Sequence, residues 1–341
     1  MLHVLLLPFS VLFGVITFVR NKLYDWSVFP SVYYDDVFVI SVGNITVGGT
    51  GKTPYIEYLL RLLSQVHRVA VVSRGYKRKT KGFRFVESVD IPADTGDEPY
   101  QIKRKFPNVV VAVDADRVRA IAHIRKIRPD IKIILLDDAF QYRRIRPNLS
   151  ILLADYNRPM YSDRLLPAGR LREYNCFAKR ADIMVVTKSP PNISIEKRQE
   201  ITQLYKRVFS NELYFTSVSY GELQPLFPAT KHLLTKTLKH YNVLLVTGIA
   251  YPKPFEDYIN AIAASVQTIN FSDHHNFSEK DILLMFEKWD SIKSSKKVLI
   301  TTEKDAVRLH QAYILQDFAY YIPVETTPHP LCLNSFIIGF T

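Results

Sequence analysis

Short apolar runs alternate with amphipathic segments along most of this chain. The apolar runs are continuous and rich in Val and Ile, and they occupy residues 37–42, 68–73, 109–113, 131–137, 149–155 and 182–188. Such runs are typical of strands buried on both faces of a parallel sheet. Amphipathic segments at 54–66 and 115–127 lie between strands and predict helices. The alternation predicts a doubly wound α/β domain, with helices on both faces of the sheet.

A second series of elements follows after residue 240. Strands are predicted at 241–249, 266–271, 296–302 and 318–324, and helices at 254–264, 278–289 and 305–311. The segment before them alternates in polarity and then contains Pro and Gly, which predicts a linker with some strand character. We therefore predict four regions: an N-terminal helix at 1–24, a larger domain at 25–212, a linker at 213–228 and a smaller α/β domain at 229–341.

The N-terminal run, residues 2–19, is almost entirely apolar, and Arg20 and Lys22 follow it. A secretory signal would have basic residues before the run and a small-residue cleavage site after it, and neither is present. A spanning helix needs about 20 apolar residues, so spanning is borderline. A helix that lies on the membrane surface is the second interpretation, and a core helix of a soluble domain is the third.

Weakly polar residues of this region fall on one helical stripe. They recur at spacings of seven, four, three and four positions: His3, Ser10, Gly14, Thr17 and Asn21. The stripe faces either the protein or the lipid head groups. We expect membrane attachment without cleavage, either spanning or surface-lying. The cations after the run place the rest of the chain on the cytosolic side.

The charge of the chain favours acidic partners. Its 341 residues carry a formal net charge of +12, which suits nucleic acid, anionic lipid or phosphorylated substrates. The positive charge is scattered and no known nucleic-acid-binding module is recognisable, so nucleic acid is the weakest of these. Cys176 and Cys332 suggest neither a disulfide framework nor a metal site, which favours reduced thiols in a cytosolic compartment.

A glycine-rich loop joins the first predicted strand to the next helix. Residues 41–54 have the sequence SVGNITVGGTGKTP, and their end fits the phosphate-binding pattern G-x-x-x-x-G-K-[ST], although Thr46 replaces the first glycine. A strand before the loop and a helix after it favour phosphate binding over a purely structural turn, because backbone N–H groups converge there. The expected nucleotide-binding residues are Thr46, Val47, Gly48, Gly49, Thr50, Gly51, Lys52 and Thr53.

Carboxylates at two places would complete a nucleotide site. Asp137 and Asp138 stand at the end of an apolar run, where phosphate-transferring proteins place a Mg²⁺-binding aspartate. A structural cap of the next segment is the alternative. Asp97 and Glu98 belong to TGDEP, which by itself is only a helix-start signal. No guanine-reading Asn-Lys-x-Asp follows the later strands, so ATP is favoured over GTP.

Together these motifs resemble the tetraacyldisaccharide 4′-kinases, the lipid A 4′-kinases of Gram-negative bacteria. The matching stretches follow the family's order over nearly the whole chain: VGNITVGGTGKTP (42–54), VVSRGYKRK (71–79), TGDEP (95–99), LLDDAFQYR (135–143), LLPAGRLRE (165–173), VTGIAYPKPF (246–255), FSDHH (271–275) and TTEKDAVR (301–308). The family's phosphate-binding loop also has Thr at the position of Thr46.

The resemblance implies a kinase with a P-loop NTPase-like parallel-sheet domain and a second, smaller α/β domain. It would transfer the γ-phosphate of ATP, with Mg²⁺, to the 4′-hydroxyl of tetraacyldisaccharide 1-phosphate and form lipid IVA. An N-terminal membrane-associated helix would attach it to the cytosolic face of the inner membrane. The expected partners are the lipid A precursor and anionic lipid, with no nucleic acid and no obligate protein partner.

The resemblance also implies roles for individual residues. Asp97 would be the general base, His274 its partner, and Lys52 would neutralise charge on the transferred phosphoryl group. The expected Mg²⁺-organising residues are Thr53, Asp137, Asp138 and Glu173. The candidates for contact with substrate or lipid phosphates are Arg74, Lys77, Arg78, Gln141 and Arg172, with Lys79 and Lys81 extending the basic run. A solvated loop is the alternative for that run.

Two positions depart from the family pattern, which often reads DDGFQH. Ala139 and Tyr142 stand in place of its Gly and His, so the role of that His carries over only if Tyr142 acts as a hydrogen-bond donor. Three other function classes stay open: an ATP-dependent ligase or synthetase on a soluble substrate, a nucleotide-dependent switch or motor, and a basic nucleic-acid-binding protein. The apolar N-terminus argues against the first.

Overall fold

The computed structural model describes residues 5–328, which form two compact units. One comprises the chain up to Val218 together with its return at Thr326, and the other comprises Ser219–Glu325. The division falls inside the segment 213–228 that the sequence predicts as a linker. That segment contains most of strand β8 (Glu212–Tyr220) and all of strand β9 (Gln224–Pro225). The segment forms sheet structure, and the bounds of the four predicted regions stay a prediction.

Within the described residues, a nine-stranded sheet organises the first unit. Its other strands are β1 (Phe38–Gly43), β2 (Val69–Ser73), β3 (Arg84–Phe85), β4 (Val110–Val113), β5 (Ile133–Asp137), β6 (Leu149–Asp155), β7 (Ile183–Thr187) and β14 (Val324–Pro328). The order across the sheet is β14-β8-β7-β6-β1-β5-β2-β4-β3. The strands from β8 to β4 pair in parallel, and β3 pairs antiparallel with β4. The predicted parallel α/β sheet is confirmed.

Helices cover the sheet because its central strands are apolar on both sides. Successive residues of β1 point into different core clusters, Val39 into one and Ile40 into the other. Besides the N-terminal helix, the helices of the first unit are α2 (Lys52–Leu63), α3 (Pro92–Thr95), α4 (Asp97–Lys105), α5 (Arg117–Ile127) and α6 (Ile195–Tyr205). Helices α2 and α4 contribute to the cluster that contains Ile40, and α5 contributes to the cluster that contains Val39.

The N-terminal helix α1 (Leu7–Asp25) has its polar stripe turned inward. Ser10, Gly14 and Asn21 are buried, so the stripe faces the protein. Many of its apolar residues are exposed, among them Phe9, Leu12, Val15, Ile16 and Val19, whereas Phe13 packs against the core. Among residues 5–328, no helix combines the length and apolar character that crossing a membrane requires. His3, the remaining member of the predicted stripe, lies outside the described residues.

Within the described residues, a second sheet of five strands organises the second unit. It contains β9, β10 (Asn242–Thr247), β11 (Ser265–Asn270), β12 (Lys297–Thr302) and β13 (Ala319–Ile322), in the order β11-β10-β12-β13-β9. Its helices are α7 (Lys253–Ile262), α8 (Glu279–Asp290) and α9 (Glu303–Arg308). The run predicted as one strand at 318–324 is divided between β13 and β14 at Pro323, which has no N–H for a sheet.

Candidate active site

The loop between β1 and α2, residues 44–51 and here called the phosphate loop, is shaped by glycines and held by polar contacts. Gly48 and Gly51 have φ of 107° and 80°, a region that side chains rarely adopt. Asn44 Nδ2 donates to Thr50 Oγ1 at 2.7 Å, and Thr187 Oγ1 donates to the Thr50 carbonyl at 2.8 Å. Helix α2 begins directly after this loop, and its first N–H groups are available to an anion.

A carboxylate at the end of β5 lies between two cations. Lys52 Nζ, at the start of α2, lies 3.7 Å from Asp138 Oδ1. Arg172 Nη1 lies 2.9 and 3.0 Å from the two oxygens of the same carboxylate. Burial raises the pKa of Asp138, but the charges of Lys52 and Arg172 outweigh it and hold the pKa below its usual value. Asp138 is therefore charged, and it holds both cations beside the phosphate loop.

The pKa of the neighbouring Asp137 is shifted in the opposite direction. Asp137 is 7% exposed, and the Ser73 hydroxyl donates to its Oδ2 at 2.9 Å. Burial, with the charges of Asp138 and Glu98, raises the pKa of Asp137 to about 6, although the Lys52 charge and the Ser73 hydrogen bond lower it. A carboxylate destabilised in this way gains from a directly bound cation.

Residues 165–174, here called the bridging segment, run beside the phosphate loop. The Val47 N–H donates to the Arg170 carbonyl at 2.8 Å, and the Arg172 N–H donates to the Ile45 carbonyl at 2.7 Å. The backbone of the bridging segment thus fixes the start of the phosphate loop, while one of its side chains, Arg172, reaches Asp138.

Glu173, expected to help organise Mg²⁺, is surrounded by protein donors. Asn21 Nδ2 donates to Oε2 at 2.8 Å, and Gln141 Nε2 donates to Oε1 at 2.9 Å. Arg180 Nη2 lies 3.0 Å from Oε1 and 2.9 Å from Oε2. Gln141 Nε2 also donates to the Asn44 carbonyl at 2.8 Å, which connects this cluster to the phosphate loop. Both carboxylate oxygens of Glu173 therefore already contact protein donors.

Two residues at the same edge of the sheet were missed by the sequence analysis. Asp155 ends β6 and Lys188 directly follows β7. Lys188 Nζ lies 2.6 Å from Asp155 Oδ2 and also donates to the Gly49 carbonyl of the phosphate loop. Because the carboxyl ends of parallel strands meet at one edge, the polar ends of the runs 149–155 and 182–188 were a usable signal.

The expected base opens a helix in the first unit. Asp97 is the first residue of α4 and follows Gly96, whose φ is 95°. The Asp97 side chain is half-buried. The carboxylate therefore lies at the positive end of the helix dipole.

The basic run after β2 divides into structural and exposed members. Arg78 donates to the carbonyls of Val113 and Gly82 and so holds the loop in place. Arg74 and Lys77 are exposed, as are Lys79 and Lys81. Of the candidates in this run, Arg74 and Lys77 are the better placed to meet an anionic ligand.

The two departures from the family pattern are accommodated locally. The Tyr142 hydroxyl donates to Asp116 Oδ1 at 2.9 Å and accepts from the Arg117 N–H at 3.1 Å. Tyr142 is therefore a hydrogen-bond donor, with Asp116 as its acceptor. Ala139 is buried and does not have a positive φ, so its backbone does not require glycine.

In the second unit, His274 lies among cations. Its φ is 58°, in the left-handed region. Arg308 Nη2 lies 3.1 Å from Nδ1, and Lys304 Nζ lies 3.0 Å from Nε2. The adjacent His275 has a different role, since its Nε2 lies 3.0 Å from Asp281 Oδ2 in the cap of α8. The pairing of His274 with Asp97 stays a prediction.

Comparison with known proteins identifies a set of relatives that match nearly the whole chain. The LpxK family model, described as tetraacyldisaccharide-1-P 4′-kinase, matches residues 2–338. A protein of Parabacteroides distasonis named tetraacyldisaccharide 4′-kinase is 45% identical over 342 residues, which cover 98% of this chain and 90% of that protein. A protein of the same name from Bacteroides thetaiotaomicron is 42% identical over 337 residues, 95% of this chain and 88% of that protein.

A solved structure resembles the whole chain. It is an "apo" form of LpxK from Aquifex aeolicus in complex with ATP. The TM-score is 0.76 at 28% identity, and the match covers 97% of this chain and 96% of that one. The similarity therefore extends over both units and includes the part of the chain that carries the phosphate loop.

Proposed function

The chain belongs to the tetraacyldisaccharide 4′-kinase family, and from that premise we propose that it transfers the γ-phosphate of ATP to the 4′-hydroxyl of a tetraacyldisaccharide 1-phosphate. It is an ATP-dependent kinase of lipid A biosynthesis. The observation that carries the assignment of the site is the cluster of Lys52, Asp138 and Arg172 beside the phosphate loop. Such a cluster suits a reaction in which negative charge on a phosphoryl group must be bound and neutralised.

The phosphate loop and the start of α2 would bind the nucleotide. Residues 46–53 supply backbone N–H groups, the Lys52 ammonium and the Thr53 hydroxyl. Lys52 and Arg172 are already oriented by Asp138, so little side-chain freedom remains to be lost when phosphate oxygens arrive. The finding that a related LpxK structure was solved with ATP supports ATP as the nucleotide.

The residues present fit a bound Mg²⁺. Asp137 is a buried carboxylate whose pKa is raised by burial, and Asp138 and Thr53 supply further oxygens, which are the ligands that Mg²⁺ prefers. Within residues 5–328 no group of three or more His, Cys, Asp or Glu side chains forms a complete metal site. Mg²⁺ usually binds through one or two carboxylates together with substrate phosphates and water. When bound, the ion would neutralise charge on the phosphates.

Asp97 would remove the proton from the acceptor. As the 4′-oxygen forms its bond to the γ-phosphorus, the bond from that phosphorus to the β–γ bridging oxygen breaks and ADP leaves. The hydroxyl proton passes to the Asp97 carboxylate, and the family resemblance also implies a catalytic role for His274. Arg74 and Lys77, both exposed, would meet the anionic groups of the acceptor.

The exposed apolar face of α1 would bind the membrane surface. Phe9, Leu12 and Ile16 are 62%, 60% and 58% exposed, on the side of the helix opposite its buried polar stripe. A surface-lying helix of this kind suits an enzyme whose acceptor is a lipid. We place the protein on the cytosolic face of the bacterial inner membrane, in contact with anionic lipid. Leu12→Glu with Ile16→Glu should abolish co-sedimentation with anionic vesicles and leave ATP binding intact.

Transfer of label from γ-labelled ATP to tetraacyldisaccharide 1-phosphate in detergent micelles tests the function directly. We expect labelled lipid in the presence of Mg²⁺ and none with EDTA. Hydrolysis of ATP without labelled lipid, in the same reaction, would refute the proposed acceptor while leaving the nucleotide site in place.

A further inference from the structure

Helix α1 rests on the bridging segment through its polar stripe. Ser10 Oγ donates to the Leu165 carbonyl at 3.0 Å and accepts from the Ala168 N–H at 2.9 Å. Gly14 lies so close to Tyr174 that a Cβ at position 14 would be 2.4 Å from the Tyr174 hydroxyl. The contacts fix the position of the helix along the whole bridging segment, from its first residue to its last.

The bridging segment is in turn the part of the chain that pairs with the phosphate loop. Leu171 pairs with Thr46, between the two backbone hydrogen bonds of Arg170 and Arg172 described above. The Arg172 side chain also reaches Asp138. A displacement of the bridging segment would therefore move both the backbone of the phosphate loop and a guanidinium beside the phosphates.

Asn21 and Glu173 form the junction between helix and bridging segment. They are 1% and 2% exposed, and the Asn21 amide donates to Glu173 Oε2 at 2.8 Å. Gln141, a second donor to Glu173, lies with its Oε1 3.4 Å from Arg172 Nη1. A buried carboxylate that loses a donor incurs a desolvation penalty, so this contact resists separation of the helix from the segment.

We propose that Asn21 and Glu173 are positioning residues that couple the seating of α1 to phosphoryl transfer. They act through Gln141 and the bridging segment on Arg172 and the phosphate loop. In this assignment Glu173 is not a ligand of Mg²⁺, and α1 is a part of the active-site framework as well as a membrane anchor. The inference rests on the proposed function, and it adds that a change in the seating of α1 alters turnover at saturating ATP and acceptor.

Reversing the hydrogen bond separates positioning from membrane attachment. Asn21→Asp places a second carboxylate against Glu173, and the double variant Asn21→Asp/Glu173→Gln restores a hydrogen bond with the donor on the other side. The glutamine introduced by the second substitution can keep its oxygen at the Oε1 position, where Gln141 donates, but it loses one contact with Arg180. The double variant should therefore recover most, and not all, of the lost activity.

The assay uses the full chain, γ-labelled ATP, Mg²⁺ and the acceptor in micelles. Because a small misplacement of a phosphate-binding group can cost up to about 100-fold, we expect kcat of Asn21→Asp to fall by at least about tenfold, with a KM for ATP changed less than about threefold. The double variant should return kcat to within about threefold of the unchanged protein. Co-sedimentation with vesicles of phosphatidylethanolamine and phosphatidylglycerol should be equal for all.

Thr17→Val is the matched control on the same helix. Thr17 Oγ1 donates to the Phe13 and Gly14 carbonyls of its own helix, at 3.0 and 3.1 Å, so kcat should stay within about twofold. Gly14→Ala gives a second route if Asn21→Asp does not fold. It raises the helix propensity of α1 yet leaves too little room for the side chains of Tyr174 and Leu165 in the bridging segment, so it should lower kcat without unfolding the helix.

Three results would overturn the coupling. The double variant could be no more active than Asn21→Asp while both are folded, or Asn21→Asp and Gly14→Ala could both turn over like the unchanged protein. Alternatively kcat could fall only in proportion to lost vesicle binding, which would make α1 an anchor alone. A failure of the proposed function is distinguishable, since the unchanged protein would then put no label into lipid.

Discussion

The buried carboxylate of Asp137 should cost the protein stability whenever its ligand is absent. Its pKa rises from 3.8 to about 6, chiefly because it is buried. Each tenfold change in proton affinity is worth about 1.4 kcal/mol, so charging Asp137 at neutral pH disfavours the folded state by about 3 kcal/mol. We therefore predict that Asp137→Asn, which removes the charge and keeps the shape, stabilises the metal-free protein while abolishing turnover.

The pH dependence gives the prediction its sign. A carboxyl group with a raised pKa in the folded state contributes its full stability below the unfolded pKa, and loses it as pH rises through the folded pKa. The unchanged protein should thus lose stability between about pH 4 and pH 6 relative to Asp137→Asn. Above about pH 7 the variant should unfold at a melting temperature higher by on the order of 5–10 °C.

Thermal unfolding in EDTA from about pH 4.5 to pH 8 provides the assay. Asp138→Asn is the matched control, because Lys52 and Arg172 lower the pKa of Asp138. Its effect on stability should therefore be opposite to that of Asp137→Asn. The Asp138→Asn variant should be less stable than the unchanged protein at neutral pH, and the difference should shrink as pH falls. Mg²⁺ with ATP should then stabilise the unchanged protein more than Asp137→Asn. A stability difference for Asp137→Asn that is absent at neutral pH, or constant across this range, would refute the reasoning.

The remaining predictions concern four single side chains. Asp97→Ala should lower kcat by about 10²–10⁴-fold with the Kd for ATP nearly unchanged, as measured by label transfer and nucleotide titration. His274→Ala should lower kcat less in the same assays. Near-normal turnover of Asp97→Ala would show that Asp97 is not the base. Tyr142→Phe should lose the hydrogen bond to Asp116, which should lower the free energy of unfolding by about 1 kcal/mol and leave kcat within about twofold. A large fall in kcat at unchanged stability would instead indicate that Tyr142 takes part directly in catalysis. Lys188→Ala should raise the KM for ATP several-fold by loosening the phosphate loop, and an unchanged KM would show that this contact is dispensable.

The sequence predicted the elements of the site better than the contacts between them. The strands that carry Asp137 and the phosphate loop were recognisable because short, continuous Val- and Ile-rich runs with helical segments between them are typical of buried parallel strands. Gly51 and Lys52 were recognisable because their spacing follows from how a backbone surrounds a phosphate. Both signals are local in sequence.

Contacts between distant segments were not predictable in this way. Asn21 and Glu173 are 152 positions apart, and no local sequence pattern around either residue predicts that the two are in contact. The family resemblance implied a metal-organising role for Glu173, but the protein donors around Glu173 come together only when the bridging segment is folded against α1. Asp155 and Lys188 differ from this case, since their positions at strand ends could have been used.

Helix α1 shows why periodicity alone left its orientation open. A weakly polar stripe on an apolar helix can face either the protein or the lipid head groups, and the sequence pattern does not distinguish these two orientations. The structure does so through two short-range constraints: Gly14 allows a close approach to Tyr174, and Asn21 satisfies a buried carboxylate. Because the polar stripe packs against the protein, apolar side chains on the opposite side of the helix, such as Leu12 and Ile16, face outward. An apolar face of this kind on a folded domain indicates an interaction surface. The contacts that hold α1 against the bridging segment therefore also expose the face that we propose binds lipid.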